Sequence, residues 1–164
     1  MVDIVIDTQI FVDVLAQYYH RKIFESGLFE KGGFLTSNVA GKLNKIIYRN
    51  KYEGDLSEGV VCTSILTFIE ISRKFESISK EKFTFDQFRG FLSNRPDWLS
   101  IAPFTPDLYE KLYHVPKTVH VDGIMKNIEW ADAIHCATYL TRENAVLATT
   151  DSSIRGIKKF VFID

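Results

Sequence analysis

The sequence predicts an α/β sandwich built on a mainly parallel sheet, and three observations carry that prediction. Short β-branched or apolar runs alternate with longer helical patterns in the order β-α-α-β-α-α-β-α-α-β-β, the signature of strands joined by helical crossovers. The first run, 2–6 (VDIVI), is apolar on both parities, as a strand covered on both faces must be. The pattern over 128–142 places apolar side chains on nearly every face of a helix turning about 100° per residue, which marks a helix packed in a core. That helix nevertheless carries Asp132 in its first turns and His135 one turn further along the same side. A carboxylate buried without a partner is costly or neutralises. Asp132 therefore needs a hydrogen-bond network, a cation or an opening to water.

Composition sets the outer limits. With 164 residues, the chain suits one domain, 1–164, with room for a substantial core. A hydrophobic share of 46% against 25% charged residues is ordinary for a globular protein and argues against a disordered or fibrous chain. The net charge of −1 neither indicates nor excludes a nucleic-acid partner, because a balanced total can hide a basic face beside an acidic pocket. Cys62 and Cys136 sit in apolar runs without CxxC spacing and read as reduced core thiols. Asp3 and Asp7 interrupt the first apolar run, which is not how a signal peptide reads. No apolar stretch reaches the ~20 residues of a membrane span. The expectation is a soluble cytoplasmic protein with no membrane partner.

The elements follow in order. The strand 2–6 ends at Asp7-Thr8, and 8–20 takes helical spacing, with Ile10, Val14 and Leu15 on one side. Asp7 alone reads as the N-cap of this helix. The stretch 21–58 differs in tone: Gly32-Gly33, a helix over 38–50, then a polar loop over 51–58. Lys42, Lys45, Arg49 and Lys51 make it locally basic, either as a solvated face or as a contact for nucleic acid. A strand at 59–62 precedes Thr63 or Ser64 as cap of a helix over 65–79. In that helix Glu70, at the margin of the apolar arc, pairs on local grounds with Lys74 at i+4. Further elements are a helix at 85–92, a strand at 98–102, a helix at 106–113 begun by Pro106, and a polar connection over 116–127 without regular period. The Asp132 helix leads into a strand at 145–149 that delivers Asp151, and a last strand closes the chain at 159–163.

Four acids then ask for one explanation. Ligands of open parallel sheets sit beyond the carboxyl ends of the strands. Asp7 and Asp151 each follow a strand, Asp132 lies near a helix start, and Glu70 is two turns into a helix that follows a strand. Carboxylates gathered at one edge repel and raise one another's pKa. A hard divalent cation removes that cost, and oxygen-only ligation selects Mg²⁺ or Mn²⁺, one ion or two, over zinc. The matching chemistry is phosphodiester hydrolysis by a metal-activated water. Neither GxxxxGK[ST] nor GxGxxG occurs, so nucleotide triphosphatase and dinucleotide chemistry lack support. Gln9 argues against phosphate-receiving and dehalogenase-like sites, which place a second acid near the first.

Taken together, Val5-Ile6-Asp7-Thr8, Thr63-Ser64 followed by Glu70, Ala131-Asp132-Ala133-Ile134 and Leu147-Ala148-Thr149-Thr150-Asp151 resemble PIN-domain nucleases. The likeness is nearest to the VapC-type toxins of prokaryotic toxin–antitoxin pairs. It spans nearly the whole chain in the right order. The resemblance implies a PIN-like three-layer α/β/α sandwich and a Mg²⁺- or Mn²⁺-dependent endoribonuclease whose acidic quartet is Asp7, Glu70, Asp132 and Asp151. It also implies that Thr149 hydrogen-bonds within the cluster, that a toxin would have a small antitoxin as partner, and that the chain forms a homodimer. Against many relatives, Gln9 stands where an Asn is usual, and 21–58 is longer than the simplest members need. That elaboration grips RNA, covers the site or meets a partner.

Supporting roles around the quartet have two readings each. Thr8 adjoins Asp7 as a hydrogen-bonding neighbour. His135 bonds a nearby carboxylate or contacts a phosphate. Ser152 caps a turn after Asp151 or touches the metal's water shell. Lys42, Lys45, Arg49, Arg155 and Lys158 either contact the RNA backbone or form solvated charged faces. The competing function is a PIN-like RNA-binding or regulatory module with weak or no catalysis, separable from an enzyme by metal-dependent cleavage of RNA.

Overall fold

The computed structural model describes residues 2–54, 58–79 and 81–164. Four strands form one all-parallel sheet in the order β3-β2-β1-β6: β1 (Asp3–Ile6), β2 (Val61–Ser64), β3 (Leu99–Ala102) and β6 (Ala145–Ala148). The double-parity pattern of the first strand is explained by what lies on each side. Ile4 and Ile6 enter one core with Ile10, Phe11, Leu15, Leu43, Phe68 and Phe91. Val5 enters the other, with Cys62, Leu108, Cys136, Ala137, Leu147 and Ile154. The first core is built from α1 (Thr8–His20), α2 (Ser37–Tyr48), α3 (Ile65–Arg73) and α5 (Phe85–Ser93). The second is built from α6 (Pro106–Leu112), α7 (Trp130–Leu140) and α8 (Ser152–Arg155). Helices thus flank both faces of the sheet.

The connections matter for function. From β1 the chain steps to β2 and on to β3 in one direction, then returns past β1 to form β6 on its other side. The sheet therefore reverses its winding between β1 and β6, and such a switch point opens a crevice at the carboxyl ends of the two strands. Asp7 and Asp151 follow those two strands.

Several elements depart from the sequence reading. The helix expected over 65–79 breaks at Lys74 (φ −125°, ψ 35°), giving α3 and a separate short α4 (Phe75–Ser79). The bend brings Phe75 edge-on to Phe83 and Phe85, at 5.8 and 5.3 Å between ring centroids. The polar connection over 116–127 is in fact a hairpin, β4 (Thr118–Val121) and β5 (Ile124–Asn127). Asp122 and Gly123 turn it with φ of 52° and 77°, the Asp-Gly signal of a tight hairpin that the lack of an apolar period concealed. The closing strand at 159–163 is reduced to a single parallel bridge from Phe162 to Leu147. Val161 gives its N–H to the Tyr139 hydroxyl (3.1 Å) and Phe160 packs on the Tyr139 ring, so the ladder does not extend. Within 38–50 the helix ends at Tyr48 and runs into one wide π-helical turn, Arg49–Glu53. The expected loop over 51–58 lies partly outside the described residues.

Entry into β2 depends on Gly59. Its φ is +92°, and a Cβ there would stand 2.4 Å from the Val2 carbonyl oxygen. Gly59→Ala combines a strained backbone with a backbone clash, so a loss of about 2 kcal/mol is expected. Urea unfolding would show it as a lower midpoint at unchanged slope.

Among the described residues, no helix is long and apolar enough to cross a membrane. Cys62 and Cys136 are both buried and free.

Candidate active site

The four acids foreseen in the sequence line one cleft of about 590 Å³, together with Thr8, Gln9, His135, Thr150 and Ser152. They arrive from four different elements. Asp7 follows β1, Glu70 stands on α3, Asp132 on the first turn of α7, and Asp151 follows β6. The bottom of the cleft is the β1/β6 switch point.

Asp7 is 7% exposed and is also the N-cap of α1, where its Oδ1 accepts the Ile10 N–H at 3.0 Å. The structural and the chemical readings of this residue are compatible, because the cap uses only one carboxylate oxygen. Asp151 does the same for α8, its Oδ1 accepting from the N–H groups of Ser153 (2.7 Å) and Ile154 (3.1 Å). The turn before it is fixed by Thr149, 1% exposed, whose hydroxyl accepts the Asp151 N–H at 3.1 Å. This bond goes to the Asp151 backbone and not to a carboxylate of the cluster. Of the two readings of Ser152, the cap is not observed: Asp151 takes that position, and Ser152 accepts from the Lys126 ammonium of the hairpin at 2.8 Å.

Glu70 is held from below. Thr8 donates its hydroxyl to Glu70 Oε2, and the same oxygen lies 3.7 Å from His135 Nε2. Burial opposes the Glu70 charge, but the His135 and Thr8 contacts and the charges of His135 and Lys74 outweigh it and keep its carboxyl below the ordinary range. His135 is 4% exposed. Its Nε2 lies 3.3 Å from the Thr8 hydroxyl and its Nδ1 3.4 Å from Ser64 Oγ. The first reading of this histidine, support of a carboxylate, is the one the contacts match. Ser64 occupies the N-cap position of α3 but its side chain makes no cap bond, since the hydroxyl is turned to the imidazole. Thr63 donates to the Ile6 carbonyl at 3.0 Å and meets Thr67 at 2.8 Å, stitching β1, β2 and α3 together beneath the acids.

Asp132 is the outlier. Desolvation, then the nearby charge of Asp151, push its carboxyl up from 3.8 to about 6, with smaller contributions from Asp7 and Glu70 and partial relief from His135. Each of its three acidic neighbours is a member of the foreseen quartet. Among the described residues, no three Asp, Glu, His or Cys side chains stand close enough together to hold an ion as they are.

The cations foreseen for RNA lie elsewhere. Lys42 donates to the Glu58 carbonyl at 2.7 Å and pairs with its carboxylate, Arg49 pairs with Glu53, and Arg155 pairs with Asp164. None of these, nor Lys45 or Lys158, lines the cleft. Lys74 and Lys82 do, as does Phe34. The sequence pattern marks Lys74 only as an i+4 partner of Glu70 and gives no signal for Phe34 or Lys82. Lys74 lies one helical turn beyond Glu70, whereas Phe34 and Lys82 come to the cleft through their shared contacts with Asp13.

Compared with protein-family models, curated proteins and solved structures, the chain matches none of them. What the fold and the site define is a class: a parallel α/β protein with an acidic, open cleft at the carboxyl edge of its sheet.

Proposed function

We propose that the protein is a PIN-like, Mg²⁺- or Mn²⁺-dependent endoribonuclease, of the kind that serves as the toxin in a VapBC-type pair. The observation that carries the reading is the convergence of Asp7, Glu70, Asp132 and Asp151 on one open cleft, with Asp132 burdened by the others' charge. A divalent cation fits that donor set. It is all oxygen, it is over-supplied with negative charge, and Asp7 and Asp151 each keep one carboxylate oxygen outside their cap bonds. Asp7, Asp132 and Asp151 with Glu70 would hold one ion or two. When bound, such a cation supplies a water acidic enough to attack at neutral pH and a countercharge for the phosphoryl oxygens.

The remaining work falls to the chain itself. Thr8 and His135 hold Glu70 ionised and aimed into the cleft. Thr149 fixes the turn that presents Asp151. Lys74 and Lys82 on the rim offset the approach of a polyanion to an acidic floor. No side chain is asked to act as a nucleophile. The expected setting is cytoplasmic, with RNA as substrate, an antitoxin segment over the acidic cleft as regulator, and a homodimer as the working unit.

Purified protein incubated with labelled RNA in Mg²⁺, in Mn²⁺ and in EDTA tests the reading. Cleavage is expected with either metal and none with chelator. Cleavage indifferent to EDTA would refute the metal-dependent enzyme. Binding of RNA without cleavage under any metal would instead identify a regulatory module on the same fold.

A further inference from the structure

Within the 21–58 stretch, residues 32–35 make a two-residue turn closed by reciprocal bonds, Gly32 N–H to the Leu35 carbonyl (3.0 Å) and Leu35 N–H to the Gly32 carbonyl (2.9 Å). Leu35 is buried in the core, whereas Phe34 at the tip is 41% exposed and lines the cleft. The tip is held from beneath by Asp13 of α1, itself only 5% exposed. One Asp13 oxygen accepts the Phe34 N–H, and the other accepts from the Lys82 ammonium. Gly33 adopts φ +57°, and a Cβ there would stand 2.5 Å from the Asp13 carboxylate. Glycine is what lets the turn sit on the acid. Lys82 is tethered in its turn, its carbonyl lying 3.0 Å from His20 Nε2. Its ammonium lies 5.9 Å from the centre of the Phe34 ring.

The result is a phenyl ring on a backbone-anchored turn in the lining of an acidic cleft, with an ammonium beside it and Lys74 also in the lining. Among the described residues, Phe34 is the one phenyl, phenol or indole side chain lining that cleft. A ring left exposed on a clamped turn gains nothing for the core, and an aromatic face beside cations is the arrangement that holds an unstacked base next to its phosphate. Building on the nuclease reading, we propose that the 32–35 turn grips single-stranded RNA: Phe34 stacks on one base flanking the site of cleavage, and Lys82 and Lys74 meet the adjoining phosphates. Asp13 and Gly33 are positioning residues for the grip. Lys82 gives one N–H to Asp13, which leaves two for a phosphate.

The test is binding of a labelled single-stranded oligoribonucleotide to the cleavage-impaired Asp132→Asn protein, followed by anisotropy, with Phe34→Ala, Phe34→Leu and Phe34→Trp added in turn. Stacking predicts roughly ten-fold weaker binding for the Ala and Leu variants and retained binding for Trp. It also predicts quenching of the introduced indole by the oligoribonucleotide. A blunt duplex of the same sequence, whose bases are already stacked, should bind all four proteins alike. Equal affinity of the Leu variant and its Phe34 parent for the single strand would overturn the proposal. If the protein cleaves RNA with metal yet Phe34→Ala leaves KM unmoved, the grip falls and the nuclease stands. Absence of both cleavage and RNA binding removes both.

Discussion

Asp132→Asn should reduce metal-dependent RNA cleavage about a hundred-fold or more while making the metal-free protein harder to unfold. The two effects come from one cause. Asp132 sits among Asp151, Asp7 and Glu70, and its ionisation is opposed by burial and by each of them. Removing the charge relieves that repulsion but takes away an oxygen that a divalent cation would need, and even outer-shell changes at metal sites cost ten- to a hundred-fold. The amide keeps the shape of the acid, so packing on α7 is undisturbed. Asp7→Asn should match the loss of cleavage but not the gain in stability, because the Asp7 carboxylate also caps α1 and an uncharged cap complements the helix dipole less well. Asp13→Asn gives the contrast. This buried acid is bonded to Lys82 and the Phe34 N–H, so its loss of charge should weaken the fold. A quartet that serves only as structural caps and ion pairs would show Asp13's effect on stability at every position, and neither quartet variant would lose cleavage beyond what its loss of stability explains. Turnover on labelled RNA and urea midpoints in EDTA, measured on the same three variants, decide between the two patterns.

How much of this could be read from the chain is itself a physical question. The strands were legible where burial on both faces forces an unbroken apolar run, as at Ile4, Val5 and Ile6. Asp132 was legible because it interrupts an otherwise apolar helix, and Asp7 and Asp151 because each follows directly on a strand. Glu70 was legible only jointly with the others, since its local pattern fits an i, i+4 pair with Lys74 just as well. The hairpin at 118–127 was hidden for a different reason. Its strands bury Val119 and little else, with Ile124 and Met125 more than 60% exposed, so no alternating pattern survives. Its own packing shows only in three dimensions, where Val119 and Val121 crowd Gly156 beside α8.

The cations illustrate the limit most clearly. A run such as Lys42, Lys45, Arg49 and Lys51 looks like a basic face in one dimension, yet Lys42 and Arg49 are matched to Glu58 and Glu53, and Lys51 donates to the Glu25 carbonyl. Lys74 and Lys82 stand in unremarkable sequence and line the cleft, Lys74 one helical turn beyond Glu70 and Lys82 paired with Asp13. Charge density along a chain reports composition. Charge at a site depends on which partners the fold has already assigned.

A second large effect follows from the same acid by way of pH. The Asp132 carboxyl has an ordinary value of 3.8 and is raised to about 6 in the folded protein. Between those two values the folded form keeps a proton that the unfolded chain has released. Stability therefore falls as pH rises through that window, and the deficit is complete above about pH 6. A fully buried group would lose about 3 kcal/mol, but Asp132 is only half-buried, so solvent screening reduces this to about 1 kcal/mol. Glu70, held below its ordinary value, works the other way: its contribution is present above the unfolded value and is lost as pH falls through the folded one. Comparing the wild-type protein with Asp132→Asn cancels the Glu70 contribution and isolates the first. In EDTA at pH 7.5 the variant should melt roughly 2–4 °C higher, and the gap should close by about pH 4. Saturating Mn²⁺, at about a hundred times its dissociation constant, would add about 2.7 kcal/mol to the wild-type protein. That reverses the order of the two melting temperatures at neutral pH, since the variant has lost part of the ligand set. A gap that ignores pH would show that Asp132 is not the strained charge of this cleft. Equal stabilisation of both proteins by Mn²⁺ would show that its carboxylate does not hold the ion.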